Sequence, residues 1–343
     1  VSGNATLQTA GAITISSPVT AGTSRALTLT STGSNIALNG SVSGLASFQA
    51  TCNSGNFTSN ASGSVSASGA VSVQCQTITA AAAIQTAGNI SLSGSGNLTA
   101  NANVTSSSGS VSLTSGGTLT TASGAVVSAV GGNTSLTADL MVLGGSTRAS
   151  TGIVTLTPST TNRSINIATT RDGSSLSLLP AEIERVSADT LRISNGGTGD
   201  IQIFTGFDLT SKVNKLAIRA GEHLTANSGV VVVVANLGIQ AGGDIDWPGT
   251  GGSAAVIALS AGATATTMRF GQAADYSVAA VDGIQPVFGV GVKFDMEGVD
   301  RTKTVDAFMA ITFNPPPATA VTIRIKDTYG NILAPNNLSA AGY

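Results

Sequence analysis

The sequence predicts an all-β fold: a right-handed parallel β-solenoid (β-helix) over residues 1–262, then a smaller β-sandwich-like region over 263–343. Three observations carry this expectation. Short runs alternate apolar and polar residues with period two. The runs recur about every 20 residues. The composition supplies small aliphatic side chains but few charges and few rings. Of the 343 residues 41% are hydrophobic, 9% charged and 4% aromatic. That apolar share separates the chain from a disordered one, which is poor in apolar residues as well. With so few rings, the core must be thin and finely divided.

The alternating runs begin at "GAITIS" (Gly11) and "RALTLTS" (Arg25), followed by "GAVSVQ" (Gly69), "GNISLS" (Gly88) and "GSVSLTS" (Gly109). The pattern continues through "GIVTLT" (Gly152), "RSINIA" (Arg163), "TLRIS" (Thr190), "GDIQIF" (Gly199) and "KLAIRA" (Lys215). Alternation with period two means strands with one buried face. Gly, Asn and Ser between the runs supply turns. Leu27, Phe48, Val71, Ile90, Val111, Thr134 and Val154 are separated by 21, 23, 19, 21, 23 and 20 positions. This is the spacing of coils that stack at about 4.8 Å and hydrogen-bond to one another. The stretch "GNISLSGSGNLTANANVTSSSGSVSLTSGGTLTTASG" (88–124) then has a reason to fold. No coil buries its own face, but stacked neighbours make a continuous core.

Cys52 and Cys75 sit at the same offset from Phe48 and Val71. Equivalent residues on neighbouring coils lie within disulfide reach, so the two are the candidate disulfide.

Charge is unevenly placed. Arg25 is the only charged residue before Asp139, so 31 of the 32 charges follow it. General acid–base catalysis needs titratable groups, and the first 138 residues cannot supply them. The net charge of −2 comes without a basic patch and argues against nucleic acid as a partner. No run reaches the roughly 18 apolar residues of a membrane helix. "GVVVVVANLGI" (229–239) is too short and too β-branched. No basic segment followed by an apolar run marks a signal peptide.

The segment 130–250 is similar to a module of very large bacterial exoproteins of the filamentous-haemagglutinin type. The residues that carry the likeness are "VTLTP" (154–158), "LLPAEIERVSA" (178–188) and "TLRIS" (190–194). The resemblance implies a β-solenoid shaft, a secreted or cell-surface location and an architectural role. Pro180 suits the first position of a helical turn, with Glu182 and Glu184 near its positive end. "AVTIRIKDTYGNILAP" (320–335) resembles the opening of a bacterial immunoglobulin-like domain, and the triple proline 315–317 reads as a boundary. The region from 263 onward also holds Phe288, Phe294, Phe308, Phe313 and Tyr329.

Candidate chemistry is sparse. Asp244 and Asp246 in "GGDIDWPG" share one strand face and are weak calcium candidates. His223 is the only histidine and reads as a surface or strand-end residue. "NGGTGD" (195–200) lacks the Lys-Ser/Thr of a phosphate loop and reads as a turn. Trp247 reads as a seal on the core. Ten N-x-S/T sequons run from Asn4 to Asn337. No catalytic residue, cofactor or nucleic acid is expected. The expected role is a structural segment of a secreted fibre or adhesin, joined to neighbouring domains of a longer chain or to copies of itself. Host or surface glycans and proteins are the further partners. The alternatives are a self-assembling filament or surface-layer subunit and, third, a polysaccharide-active β-helix enzyme.

Overall fold

The computed structural model describes residues 3–286 apart from 23, 263–266 and 273–276, together with Lys293–Asp295. It is a parallel β-solenoid of about twelve turns. Each coil places short strands on three ladders. Every inter-strand pairing among the described strands is parallel, as at Leu27↔Phe48, Ile36↔Phe57 and Val42↔Val65. The seven register positions read from the sequence stack directly, Leu27 on Phe48, then Val71, Ile90, Val111, Thr134 and Val154.

Inward positions make unbroken columns. One runs Leu29, Ala50, Val73, Leu92, Leu113, Leu136, Leu156, Ile193, Ile218, Ile239, Leu259. All are buried. Thr134 occupies an inward position of the adjacent column, and its hydroxyl donates to the Arg148 carbonyl at 2.6 Å. That hydrogen bond makes a threonine tolerable inside.

The corners follow from the close approach of successive coils. Gly69, Gly88, Gly109, Gly132 and Gly152 form a column. A Cβ on Gly109 would stand 2.4 Å from the Gly88 carbonyl carbon, and one on Gly152 would stand 2.3 Å from the Gly132 oxygen. At a second corner the inward column runs Ser31, Cys52, Cys75, Gly94, Ser115. Ser31 and Ser115 donate to the carbonyls of Gly11 and Gly96, both at 2.8 Å. Between them Cys52 and Cys75 are joined by a disulfide with Cα atoms 4.4 Å apart. Asparagine marks the entry to many strands. The Oδ1 atoms of Asn4, Asn89, Asn97, Asn103 and Asn133 accept the N–H of Ala26, Ser110, Thr118, Val126 and Ile153 on the next coil. Each of these five asparagines begins a sequon. In the central three the next residue points inward and the Ser or Thr outward. The sequon density is therefore a product of the fold: corner Asn, core residue, hydroxyl.

One coil is different. Val154 pairs with Leu191, 37 positions later. The extra residues carry Ile165–Ile167 and Leu176–Leu178, which pair with each other, and the helical turn Pro180–Ile183. Here the second ladder is interrupted. Leu140–Leu143 pairs with the preceding coil through Thr118–Thr121, and no described strand hydrogen-bonds to its other edge. Side chains do so instead. Glu182 Oε1 accepts the Leu143 N–H at 2.6 Å, Arg171 Nε donates to the Met141 carbonyl at 3.0 Å, and Arg185 donates to the Leu143 carbonyl at 3.1 Å. Glu182 is buried and salt-bridged to Arg171, and its second oxygen accepts the Leu179 N–H at 3.0 Å.

The stack does not end at 262, the boundary expected from the sequence. Thr267–Gln272 pairs with the preceding coil at Ile245↔Met268, and Lys293–Asp295 pairs with Thr267–Arg269. The reason is the core: Trp247, buried, packs edge-on against buried Phe270 with centroids 5.5 Å apart. Of the aromatic residues named for the sandwich, Phe294 lies on a strand of this stack, and Phe288, Phe308, Phe313 and Tyr329 lie outside the described residues. The immunoglobulin-like stretch 320–335 lies outside the described residues.

Two outcomes test this account. Gly109→Ala should cost on the order of 1–3 kcal/mol through overpacking, read as a lower urea midpoint. Gly11→Ala should be nearly neutral, because its Cβ would meet only the Thr9 hydroxyl at 3.7 Å. Glu182→Ala strands the Leu143 N–H and the Arg171 guanidinium, and should cost about 3 kcal/mol. An unchanged midpoint for it would refute the role of this carboxylate at the broken edge.

Candidate functional site

The structure divides into two walls of different chemistry. On the outer face of the first ladder, coils up to Thr157 present only Thr, Ser and Gln. Thr28 and Thr30 lead through Ser91 and Ser93 to Thr155 and Thr157. The charged residues occupy the later coils, on three features.

The first is the loop before the helical turn. Asp172 Oδ1 accepts the N–H groups of Ser174 and Ser175 at 3.0 and 2.9 Å, and Asn166 Nδ2 donates to Oδ2 at 2.7 Å. The hydroxyls of Ser175 and Ser177 add to the set. These bonds, led by the Ser175 N–H, hold the Asp172 carboxyl at about 2.

The second holds the sequence candidates. His223, Asp244 and Asp246 lie where Leu224 pairs with Ile245. Ile245 is buried, so Asp244 and Asp246 flank it on the outer side. His223 Nδ1 accepts the Asp244 N–H at 3.1 Å, while the Asp244 carboxylate is 3.9 Å away. The imidazole ring lies over Gly243, where a Cβ would come within 2.7 Å of Cε1. The Asp200 carboxylate accepts the His223 N–H at 3.0 Å. Histidine and aspartates thus tie three coils together. Among the described residues no three His, Cys, Asp or Glu side chains gather closely enough to hold a metal ion. The calcium reading of Asp244 and Asp246 therefore finds no third such ligand.

Trp247 is enclosed in the stack, and its Nε1–H donates to the Val230 carbonyl at 3.2 Å. "NGGTGD" is a turn: Gly196 and Gly199 have φ of 65° and 152°, and Asn195 Oδ1 accepts the Gly221 N–H at 2.9 Å. A concavity of about 390 Å³ beside Ser211, lined by Thr210, Val213, Val233 and Ala255 among others, has no titratable side chain in its lining.

The third feature gave no signal in the sequence. Asp282, with φ +49°, presents its carboxylate to Arg192 Nε and Nη2 at 2.9 and 2.8 Å. Arg219 Nη2 lies 3.4 Å from the same carboxylate. The residues come from positions 63 and 90 apart. Arg192 and Arg219 stand on adjacent coils, since Arg192 pairs with Ala217. Only the "DG" dipeptide, a turn former, marks the spot in the sequence.

Comparison with family models, with curated proteins and with solved structures returned no match.

The Asp172 cluster makes a pH prediction. Its folded value lies below the ordinary aspartate value of 3.8, so its contribution is present above about 3.8 and is lost as pH falls toward 2. Asp172→Asn should remove the steepest part of the acid-side loss, read as Tm against pH between 2 and 5. Parallel curves for the two proteins would refute it. Asp282→Ala leaves two arginines facing each other and should lower the urea midpoint. Asp282→Asn, which tolerates the positive φ and keeps one acceptor, should lower it less.

Proposed function

We propose that this chain is a structural, non-catalytic segment of a secreted bacterial cell-surface fibre or adhesin. The observation that supports it most is the uninterrupted coil stack with a neutral, hydroxyl-bearing wall from Thr28 to Thr157. Such a stack gains length by repetition, and an uncharged wall resists nonspecific electrostatic attraction. The resemblance of 154–194 to filamentous-haemagglutinin-type exoproteins adds to this reading, and the buried Cys52–Cys75 bond suits an oxidising compartment. Neighbouring domains or further copies are its partners, with surface glycans or proteins as the targets of a complete adhesin.

A second reading is a self-assembling extracellular filament. It is favoured by the Asp282 turn, a small docked element that a neighbouring copy carries as well. A polysaccharide-active enzyme stands third. The carboxylate pair Asp244 and Asp246, at alternate positions, adjoins a histidine whose Nδ1 is already engaged.

Negative-stain images of the purified chain should show isolated rods. Twelve turns at about 4.8 Å each give a length of roughly 60 Å for the described coils. Globular particles would contradict the proposal, and continuous filaments would favour the second reading. Cleavage of an acidic polysaccharide that Asp246→Ala abolishes would replace both with the enzymatic one.

A further inference from the structure

The segment Ala279–Pro286 does not add a regular strand to the stack. It folds back over the outer face of the first ladder. Val281 and Ile284 exchange both backbone hydrogen bonds, at 3.2 and 2.9 Å, across Asp282 and Gly283. Both turn residues have positive φ, 49° and 74°, the geometry of a two-residue hairpin turn with Asp-Gly at its tip. The side chains of Val281 and Ile284 rest on Ala217 and Ala258, and all four are at most 2% exposed. Between those alanines in the register stands Gly238, where a Cβ would be 3.0 Å from Ile284 Cδ1 and 3.1 Å from Val281 Cβ. The wall is therefore a shallow apolar strip, Ala217–Gly238–Ala258, shaped to the turn. Beside it Arg192 and Arg219 receive Asp282, and Arg219 also donates to the Asp282 carbonyl.

This is a recognition site with its ligand in place. The ligand is a four-residue turn: two aliphatic side chains flanking a carboxylate. Its grip is bidentate and charge-assisted, the stronger class of hydrogen bond. If the turn leaves, an apolar strip and two neighbouring arginines are uncovered together. Each costs free energy to leave so, and the same turn from another copy satisfies both without any new complementarity.

We propose that the contact is also made between chains: the Val281–Ile284 turn of one copy docks on the Ala217–Gly238–Ala258 strip of a second copy, with Asp282 between that copy's Arg192 and Arg219. This deepens the assembling reading above and rests on it. The exchange joins rods side by side, since the strip lies on the wall and not on the stacking axis.

Two single variants of the full chain, Gly238→Cys and Val281→Cys, test it. The native cysteines are already paired with each other and buried, so they do not compete. The smaller cysteine at 281 leaves room for the one at 238. Mixed and mildly oxidised, the two chains should give a disulfide-linked heterodimer whose yield rises with protein concentration. Adding Asp282→Lys to the Val281→Cys chain should abolish it. The double variant in one chain serves as the reference for closure within a chain. If that variant closes its own bond while the mixture gives no heterodimer, the turn acts only within its chain and the proposal is overturned. It is overturned equally by Gly238→Cys homodimers in place of heterodimers, or by a double variant that forms no bond at all. Either result leaves the isolated rods of the structural reading untouched, because that reading is judged by particle shape.

Discussion

Every coil must set its backbone donors against the acceptors of the next at about 4.8 Å, around the whole perimeter, and the rest of the molecule depends on that register. A corner cannot be bulky when another corner lies directly upon it. Hence the glycine column from Gly69 to Gly152, in which each added Cβ would strike the backbone below. A corner also interrupts the backbone ladder, so its polar groups need side-chain partners. Asparagine supplies an acceptor to the next coil, and serine supplies a donor to the previous one. The composition that looks too polar and too small to fold is the composition this constraint selects.

The distribution of charge follows from the same rule. A coil whose strands are all paired needs no ion, and the first seven coils have almost none. Charge enters where pairing fails. At the free edge of Leu140–Leu143 a carboxylate and two guanidinium groups stand in for the missing strand, and they match its N–H and C=O groups one by one. Buried charge of this kind is retained only when its hydrogen-bonding capacity is filled, which is the case for Glu182. A second concentration of charge appears where the wall is covered from outside, at Arg192, Arg219 and Asp282. At these two places ions mark departures from the repeat.

That distinction also separates what could be read in the sequence from what could not. The column from Leu27 to Val154 is legible because period-two alternation and coil length are local signals, repeated many times. The Cys52–Cys75 juxtaposition is legible as a consequence of that register. The even coil spacing stops at Val154, where the next coil takes 37 positions, although single strands such as Ile165–Ile167 and Ile201–Ile203 remain legible beyond it. "LLPAEIERVSA" could be seen as a helical turn with acidic residues at its start. That Glu182 reaches across 39 positions to the Leu143 N–H could not, because a side chain replacing a strand leaves no period behind. The pairing of Thr267–Gln272 beyond 262 left no such mark either: Trp247 reads as a seal on the core, and in the structure it packs against Phe270 of the next coil.

Because coils touch only their neighbours, cooperativity along a solenoid is no stronger than its weakest junction. The second ladder reorganises at residues 158–185. The 24-stranded sheet keeps the first ladder throughout, while the later strands of the second ladder belong to a separate nine-stranded sheet. The first ladder crosses this point as an unbroken column of strand pairs, from Leu136 through Leu156 to Ile193 and Ile218, and the third crosses it through Thr147↔Val186, Arg148↔Ser187 and Ala149↔Ala188. A load along the axis is therefore carried there by two continuous ladders together with the side-chain clamp of Arg171, Glu182 and Arg185. Beyond it, the Asp282 turn binds the first ladder from outside, across the strands that carry Arg192, Ala217, Gly238 and Ala258. The two irregular features thus stand on different ladders, the clamp where the second ladder lapses and the turn on the outer face of the first. In a shaft built by repetition, these are the places where specific chemistry has been added, and the places at which its length, stiffness and contacts with other copies are set.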